Sequence, residues 1–493
     1  MGGMAVARRV RKAKRGVADP VVTELRAALG DDRVRDDAAE RALLAHDASV
    51  FSGGVAGPVC FPTSTAEVQA IARIAAVHGS ALVPRGAGTG LSGGAIPLGR
   101  PIVVVTTRMN RILEVDVEER VAWVEPGVVN LDLSKHLRPF GFHFAPDPSS
   151  QQACTIGGNV ANNSGGPHCL AYGVTSQHVL ALEVVLPTGD VVMLGGLDAE
   201  PAGYDLRGAF VGGEGTLGIA TRIAVRITPN PPVVRTLLLA FEGIEGAART
   251  VSEVIAAGIV PAAMEVMDRR ITVAVEQFVH AGYPLDAGAV LLAEVDGFEA
   301  GTEIEARRIA DIGRASGASS VRVAATDDER ALLWKGRKTA FGAVAQIAPS
   351  YYLHDTVVPR SSLGAVLASV YEIAERHRLM VVNVFHAGDG NLHPLLLFDT
   401  REPGVLDRVH AAGAEIVTVS LAAGGVLSGE HGIGVEKRDL MPLLFTTADL
   451  DHQSRLRRAF DPECRANPGK VLPSSHSCAD IQALGRVPAG LWI

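Results

Sequence analysis

The sequence predicts an α+β chain: two domains in succession, the second carrying an antiparallel sheet, closed by a helical C-terminal segment. Three observations predict it. At 493 residues the chain is too long for one hydrophobic core. Between residues 58 and about 228, β-rich runs alternate with amphipathic helical ones. The phrase "ITPNPPVVRT" (227–236), with three prolines, marks a boundary before a second region of the same kind, and helical text dominates after about 404. The expected divisions are 1–53 (tail and helices), 54–232, 233–415 and 416–493.

The opening "MGGMAVARRVRKAKRG" is basic but lacks the continuous apolar stretch of a secretory signal. It reads as a tail ahead of the fold, with Met4 as an alternative start. "ADPVVTELRAALG" follows as a helix, with Asp19 as cap, Pro20 in the first turn and Gly30 as stop. In the first domain "ALVPRG", "PIVVVTT", "RVAWVEPGV", "ALEVVLPTGD" and "ATRIAVRITP" read as strands, "TAEVQAIARIAAVHG" and "NLDLSKHLRPFG" as helices. In the second, "TLLLAFEG", "AVLLAEVDG", "YLHDTVVP" and "LMVVNVFHAG" read as strands. "GIEGAARTVSEVIAAG" and "EIEARRIADIGRASG" read as its helices, and "GVLSGEHGIG" interrupts the helical C-terminal text.

Composition narrows the function. A net charge of −8 gives no electrostatic footprint for nucleic acid. No uninterrupted apolar run approaches the roughly 20 residues that cross a bilayer. The chain is expected to be cytoplasmic, meeting a membrane only peripherally through partners. Cys60, Cys154, Cys169, Cys464 and Cys478 are scattered, odd in number and without a C-x-x-C pair. That spacing argues against a disulfide framework, a zinc ribbon or an iron–sulfur cluster within this chain.

Two glycine-rich loops and a glycine turn stand out in the first domain. "VPRGAGTGLSGGAIP" (83–97) holds five glycines directly after a strand. Such density frees backbone N–H groups to form an anion nest that can cradle a pyrophosphate. It matches neither the P-loop pattern nor a Rossmann unit. A tight turn without a ligand is the alternative for this stretch alone. "PDPSSQQACTIGGNVANNSGGPHCLAYGV" (146–174) is too long and organised for a mere connection. "GGEGTLGIATRIAVRITP" (212–229) runs a glycine turn into a strand.

The second domain offers "FHAGDGNLHP" (385–394), two histidines across a glycine turn. The simplest reading is a hairpin in which His386 and His393 face each other at its neck, where Cβ atoms stand about 5 Å apart. Two imidazoles there can share one metal ion, while Asp389 or Asn391 steadies the turn. A third ligand must come from elsewhere, and "SGEHGIG" (428–434) offers Glu430 and His431. Histidines that only hydrogen-bond in a turn are the plain alternative.

Together the three glycine elements resemble the flavin-binding domain of the vanillyl-alcohol oxidase (PCMH-type) FAD superfamily, over nearly the whole chain. In that superfamily the first loop wraps the FAD pyrophosphate, which implies Pro84, Arg85, Gly86, Ala87, Gly88, Thr89, Gly90, Ser92 and Gly93 here. The second follows the flavin ring and ribityl chain, which implies Pro146, Asp147, Gly157, Gly158, Asn159, Ser164, Gly165, Gly166 and Gly173. Gly218 and Ile219 fall near the adenine end. Some members bind FAD covalently through a histidine in the first loop; Thr89 takes its place here, so non-covalent FAD is expected.

The C-terminal half resembles the FAD-linked 2-hydroxyacid dehydrogenases, which include glycolate oxidase flavoprotein subunits, D-lactate dehydrogenases and D-2-hydroxyglutarate dehydrogenases. In metal-dependent relatives the histidines of H-x-G-D-G-N-L-H and the glutamate of G-E-H-G bind a divalent ion, and the next histidine is the base. The resemblance implies His386, His393 and Glu430 as ligands of zinc, manganese or iron and His431 as base. It implies Arg337 of "LLWKGRKTAF" as the cation for the substrate carboxylate, and Asn467 of "FDPECRANPGK" (460–470) as a flavin contact.

The implied reaction takes a proton from oxygen and a hydride from carbon of a 2-hydroxy acid, giving the 2-oxo acid. A metal lowers the hydroxyl pKa and orients the substrate, His431 takes the proton, and flavin N5 receives the hydride. D-2-hydroxyglutarate enzymes hold a second carboxylate with polar groups where this chain has Leu353 and Leu395. Burying a carboxylate against leucines is costly, so glycolate is expected first and D-lactate second. The similarity to glycolate oxidase flavoprotein subunits implies a second FAD-domain subunit and an iron–sulfur subunit that carries electrons to quinone. A solitary D-lactate or D-2-hydroxyglutarate dehydrogenase is the alternative within this class. A His/His/Glu metallohydrolase leaves the glycine loops without a purpose, and a non-catalytic FAD scaffold needs none of the four site residues. An ether-lipid synthase of the same superfamily would not have its flavin bleached by a hydroxy acid.

Overall fold

The computed structural model describes residues 19–51, 53–197 and 202–476; the basic stretch 1–15 and Cys478 lie outside them. The first domain contains two main sheets. β1 (Val34–Arg35), β2 (Val59–Cys60), β3 (Leu82–Arg85) and β4 (Ile102–Val105) are ordered β1-β2-β4-β3, with β2 and β3 both parallel to β4. β5 (Ile112–Asp116), β6 (Val121–Val124), β8 (Val179–Val185), β9 (Val191–Gly195) and β10 (Ile219–Arg226) form an antiparallel sheet ordered β5-β6-β10-β8-β9. β7 (Phe142–His143) pairs with β11 (Thr228–Pro229).

Helix Thr65–Val77 shows why the two sheets hold together. Ser64 caps its Glu67 amide, and Val68, Ile71, Ala72 and Ala75 make one buried stripe at helical spacing. That stripe packs against Leu82, Ile102 and Val104 of the first sheet and Val185 and Ile219 of the second. The glycine loops leave the ends of β3 and precede β10, so both sheets aim them at one place.

The second domain is built on one nine-stranded sheet. β12 (Val233–Phe241), β13 (Ala263–Asp268), β14 (Ala289–Gly297), β15 (Ala318–Val323), β17 (Thr356–Val357), β18 (Met380–His386) and β19 (Asn391–Leu392) run β15-β12-β14-β13-β18-β19-β17. β20 (Pro394–Phe398) pairs with β18 and with β16 (Ser350–Leu353), and every pairing is antiparallel. Side chains alternate faces: Leu237, Leu239 and Phe241 join one core with helices 244–256, 363–376 and 405–422, while Leu238 and Ala240 join another with helices 269–279 and 327–338. Helices on both faces explain why "TLLLAF" and "AVLLAEV" read as unbroken apolar runs.

Two expectations need correction. His386 does not face His393 across the hairpin. The turn Ala387–Gly390 sets a register in which His386 pairs with Asn391 and Asn383 with Pro394, so His393 lies two residues past His386's partner, a diagonal neighbour on the same face. The strand read in "YLHDTVVP" breaks into β16 and β17 at His354–Asp355. Among the described cysteines, Cys60, Cys154 and Cys169 are free.

The last segment returns to the first domain. Helix Thr447–Phe460 lays Phe460 into the core of the five-stranded sheet. Beyond it Ala466 bridges Leu82 in parallel, with Leu82 N–H donating to Arg465 O at 2.8 Å and Asn467 N–H donating to Leu82 O at 2.7 Å. The open edge of β3 is thereby covered.

Candidate active site

The three glycine elements enclose a cleft of about 430 Å³. They touch closely: a Cβ on Gly86 would stand 2.4 Å from Thr155 Oγ1, and one on Gly215 (φ +72°) 2.4 Å from Pro84 Cγ. Only glycine lets these backbones meet. Of the residues expected at FAD, Pro84, Arg85, Gly86, Ala87, Gly88, Thr89, Gly90, Gly157, Gly158, Asn159, Ser164, Gly218 and Ile219 line the cleft. The second domain closes it with Lys338, Phe341, Tyr351 and Leu353, and the C-terminal segment with Glu430 and His431. A lining of free amides, glycines and one buried arginine suits an elongated ligand with a central anionic group.

Other expected contacts stand behind the lining. Ser92 Oγ donates to His431 O at 3.0 Å, and Gly93 (φ +77°) packs beside Phe51 and Val435. Asn467 is buried and donates through Nδ2 to Gly94 O at 2.9 Å and Glu214 O at 2.7 Å. Pro146 O accepts from Asn130 Nδ2 at 2.9 Å. Asp147 pairs with His168 at 3.0 Å and Lys338 at 3.4 Å, and Gly166 (φ +149°) lies against its backbone. Gly165 packs against Glu430, and Gly173 (φ +81°) ends a short helix.

Next to the cleft, His386 at the end of β18, His393 between β19 and β20, and Glu430 converge. Glu430 Oε1 lies 3.3 Å from His386 Nε2 and 3.3 Å from His393 Nε2. His393 Nε2 is buried without a hydrogen-bond partner. Two ligand atoms held about 2.1 Å from one ion at a tetrahedral angle stand about 3.4 Å apart. The orphaned imidazole nitrogen, the spacing and the donor set therefore fit a divalent ion. Burial works against charge on His386, but Glu265 and then Glu430 raise its pKa to about 10 when no ion is present. The rings of His386 and His393 stand edge to face with centroids 5.0 Å apart.

Sequence reasoning missed Glu265 and Asp355. Glu265, on β13, accepts from His386 Nδ1 at 2.7 Å and from Arg337 Nε at 2.6 Å, with both partners buried. Such a carboxylate fixes which imidazole nitrogen faces an ion. The available signal was an acid inside the apolar run "PAAMEVM". Arg337 is buried against Glu265 on this inner side, its Nη2 without a hydrogen-bond partner, and it does not line the cleft; its neighbour Lys338 does. Asp355, at the break between β16 and β17, accepts from the amides of Gly429 and His431 at 3.0 Å each and from Lys437 Nζ at 3.4 Å. Burial opposes its charge, yet Lys437 and then His431 hold it well below the usual carboxylate range.

His431 lines the cleft while its ring stacks on His393, with centroids 5.0 Å apart and 4° between planes. Burial pushes its pKa down to about 4, so the imidazole is neutral at neutral pH and able to accept a proton. Leu353 and Leu395 are direct cross-strand partners, and both belong to one apolar cluster at this end of the cleft.

The chain is similar to known proteins over most of its length. Residues 56–195 match the family described as FAD binding domain, and 230–471 the family described as FAD linked oxidases, C-terminal domain. It is 44% identical to glycolate oxidase subunit GlcD of Escherichia coli (strain K12) over 426 residues, 86% of this chain and 85% of that one. It is 33% identical to D-lactate dehydrogenase of Anaerostipes hadrus over 425 residues, 83% of this chain and 88% of the other. The structure of p-cresol methylhydroxylase superposes with a TM-score of 0.77 at 17% identity, covering 92% of this chain and 97% of that one. That likeness establishes a PCMH-type fold.

Proposed function

The chain belongs to the FAD-linked oxidases that act on 2-hydroxy acids, and from that premise we propose that it oxidises glycolate, and D-lactate second, with His386, His393 and Glu430 holding a divalent ion and His431 as base. FAD-dependent hydroxyacid oxidation follows from the relatives; the substrate, the ion and the base are the proposal. One observation carries it. His431 belongs at once to the wall of the FAD cleft and, through its stack on His393 and a 3.7 Å approach to Glu430, to the ion cluster. Proton acceptor, ion ligands and cleft meet at a single point.

When bound, the flavin supplies the two-electron acceptor and the ion supplies positive charge beside the substrate hydroxyl. The residues do the rest. Glu265 and the carbonyl of His354 hold the far nitrogens of His386 and His393, leaving both Nε2 atoms turned toward Glu430. His431, neutral and close to the cluster, takes the hydroxyl proton. Arg337 is the proposed cation for the substrate carboxylate, through the Nη2 that has no hydrogen-bond partner, and the bond of its Nε to Glu265 links that role to the ion cluster. Leu353 and Leu395 themselves offer no polar partner to a second carboxylate, which favours a small monocarboxylate.

FAD is proposed to be non-covalent, since Thr89 lines the cleft and no histidine stands on its loop. The relative GlcD is named as a subunit of glycolate oxidase. On that similarity, electrons are proposed to leave through a second FAD-domain subunit and an iron–sulfur subunit at the cytoplasmic face of a membrane. Among the described residues no helix is long and apolar enough to cross one.

The test is an air-free visible spectrum of the purified protein with glycolate, D-lactate, L-lactate and D-2-hydroxyglutarate, each with and without EDTA. Bleaching of the flavin band by glycolate or D-lactate, blocked by EDTA and restored by zinc, manganese or iron, is expected. A band that no hydroxy acid bleaches with metal restored overturns the substrate assignment, and bleaching indifferent to EDTA overturns the ion.

A further inference from the structure

The loop that carries Glu430 and His431 has almost no backbone structure of its own. Its six successive amides from Gly429 to Gly434 all donate to side chains. Asp355 accepts from Gly429, Glu430 and His431, and Ser428 Oγ accepts from Gly432 at 2.9 Å. Glu214 then accepts from Ile433 at 2.6 Å through Oε1 and from Gly434 at 2.8 Å through Oε2. Asp355 belongs to the second domain; Glu214 belongs to the glycine turn of the first. The loop is gripped from both sides.

The grip from the first domain uses all three FAD-binding elements. Ser92 Oγ and Asn162 Nδ2 each donate to His431 O at 3.0 Å, one from each long loop, and Glu214 completes the set from the turn. Asn162 and Glu214 also line the cleft. Glu214 is held in turn: its N–H donates to Ala161 O at 2.8 Å, its carbonyl accepts from Asn467, and its φ of +49° is one a side chain rarely adopts. Gly432 (φ +88°) makes room for it, since a Cβ there would stand 2.7 Å from Glu214 Oε1.

We infer that FAD in the cleft sets the position of Glu430 and His431 through Glu214, a positioning residue that couples FAD occupancy to the order of the 429–434 loop. The free cleft leaves three glycine-rich elements without their ligand, and these are the elements that hold the loop. Filling the cleft fixes Glu214, and Glu214 fixes two amides at once. The inference rests on the reading of Glu430 and His431 as the reacting end of the site, but its test needs neither ion nor substrate.

The experiment is hydrogen exchange followed by mass spectrometry on the full-length protein, stripped of flavin and then titrated with FAD, for the native chain and Glu214→Gln. A glutamine can accept one of the two amides and must present its own N–H₂ to the other. In the native chain FAD is expected to slow exchange in peptides covering 429–434 by about tenfold or more. In Glu214→Gln the slowing should fall below about twofold, while peptides covering 84–90 slow in both. Equal exchange at 429–434 with and without FAD in the native chain overturns the inference, as does full slowing in the variant. Should Glu214→Gln not fold, the native comparison stands by itself, and Ser92→Ala, which removes one bond to His431 O, should lose part of the slowing. A protein whose flavin no hydroxy acid bleaches can still pass this test, so the two readings fail separately.

Discussion

Glu265 and His386 are joined by a hydrogen bond of 2.7 Å at the floor of the site, where neither side chain reaches solvent. The second oxygen of the same carboxylate is bound by Arg337. One acid therefore orients an imidazole and neutralises a buried guanidinium.

Replacing Glu265 with glutamine should disturb both partners. Loss of a carboxylate behind a ligating histidine lowers metal affinity by about 10–100-fold, measurable by titrating the stripped protein with zinc. Arg337 is left as a buried charge without its counter-ion, a change that costs about 3–5 kcal/mol. A variant with native melting temperature and native zinc affinity would refute this account of the pair.

His431→Asn should slow flavin reduction by hydroxy acid by about 10²–10⁴-fold, the usual contribution of a positioned base. FAD content and the visible spectrum should be unchanged, because His431 holds the loop through its backbone rather than its ring. Stopped-flow reduction gives the answer; a rate within threefold of native removes His431 from the chemistry.

The two domains are latched by His168, which lies 3.0 Å from Asp147 in the first and 3.3 Å from Glu294 in the second. Burial disfavours its charge, but Asp147 and then Glu294 lift its pKa to about 10, from 6.5. A raised folded pKa means stability fully present below about pH 6.5 and lost as pH climbs toward 10. Glu294, opposed by burial but held by His168 and Arg330 at about 2, contributes above pH 4.5 and loses that contribution as pH falls toward 2. Melting temperature should thus decline from neutral pH toward pH 10, and His168→Gln should flatten that limb. An alkaline limb identical in the variant would assign the decline to other groups.

Leu353→Lys puts an ammonium on the cleft wall opposite Leu395. D-2-hydroxyglutarate should then be oxidised with kcat/KM at least tenfold above native, while kcat/KM for glycolate falls. Steady-state assays with both acids decide it, and an unaltered preference would show that the second carboxylate is chosen elsewhere.

Much of this was legible in the sequence because it is local. Glycine density announced the cleft, and positive φ at Gly88, Gly93, Gly215 and Gly218 shows the conformations that demanded it. The apolar runs of β12 and β14 announced strands, and the cores on both faces explain why they do not alternate. What stayed hidden is pairing across distance. Glu265 meets Arg337 from 72 positions away and Glu214 meets Gly434 from 220, and no periodicity records either. The diagonal placing of His386 and His393 depended on the length of a four-residue turn, and slipping the register by one residue would turn one imidazole to the opposite face. The bonds of Ser92 to His431 O and of Asn467 to Glu214 O join segments far apart in the chain, and the motifs that carry these residues do not announce them.

The covered edge of β3 has a consequence for biosynthesis. Residues 465–467 dock beside Leu82, more than 380 positions after that strand is made. On the ribosome the first domain must wait, with an open edge and a half-built cleft, until the whole second domain has emerged. The domain translated first is the one completed last, because the cleft gains Glu430 and His431, and β3 its covering segment, only near the end of translation.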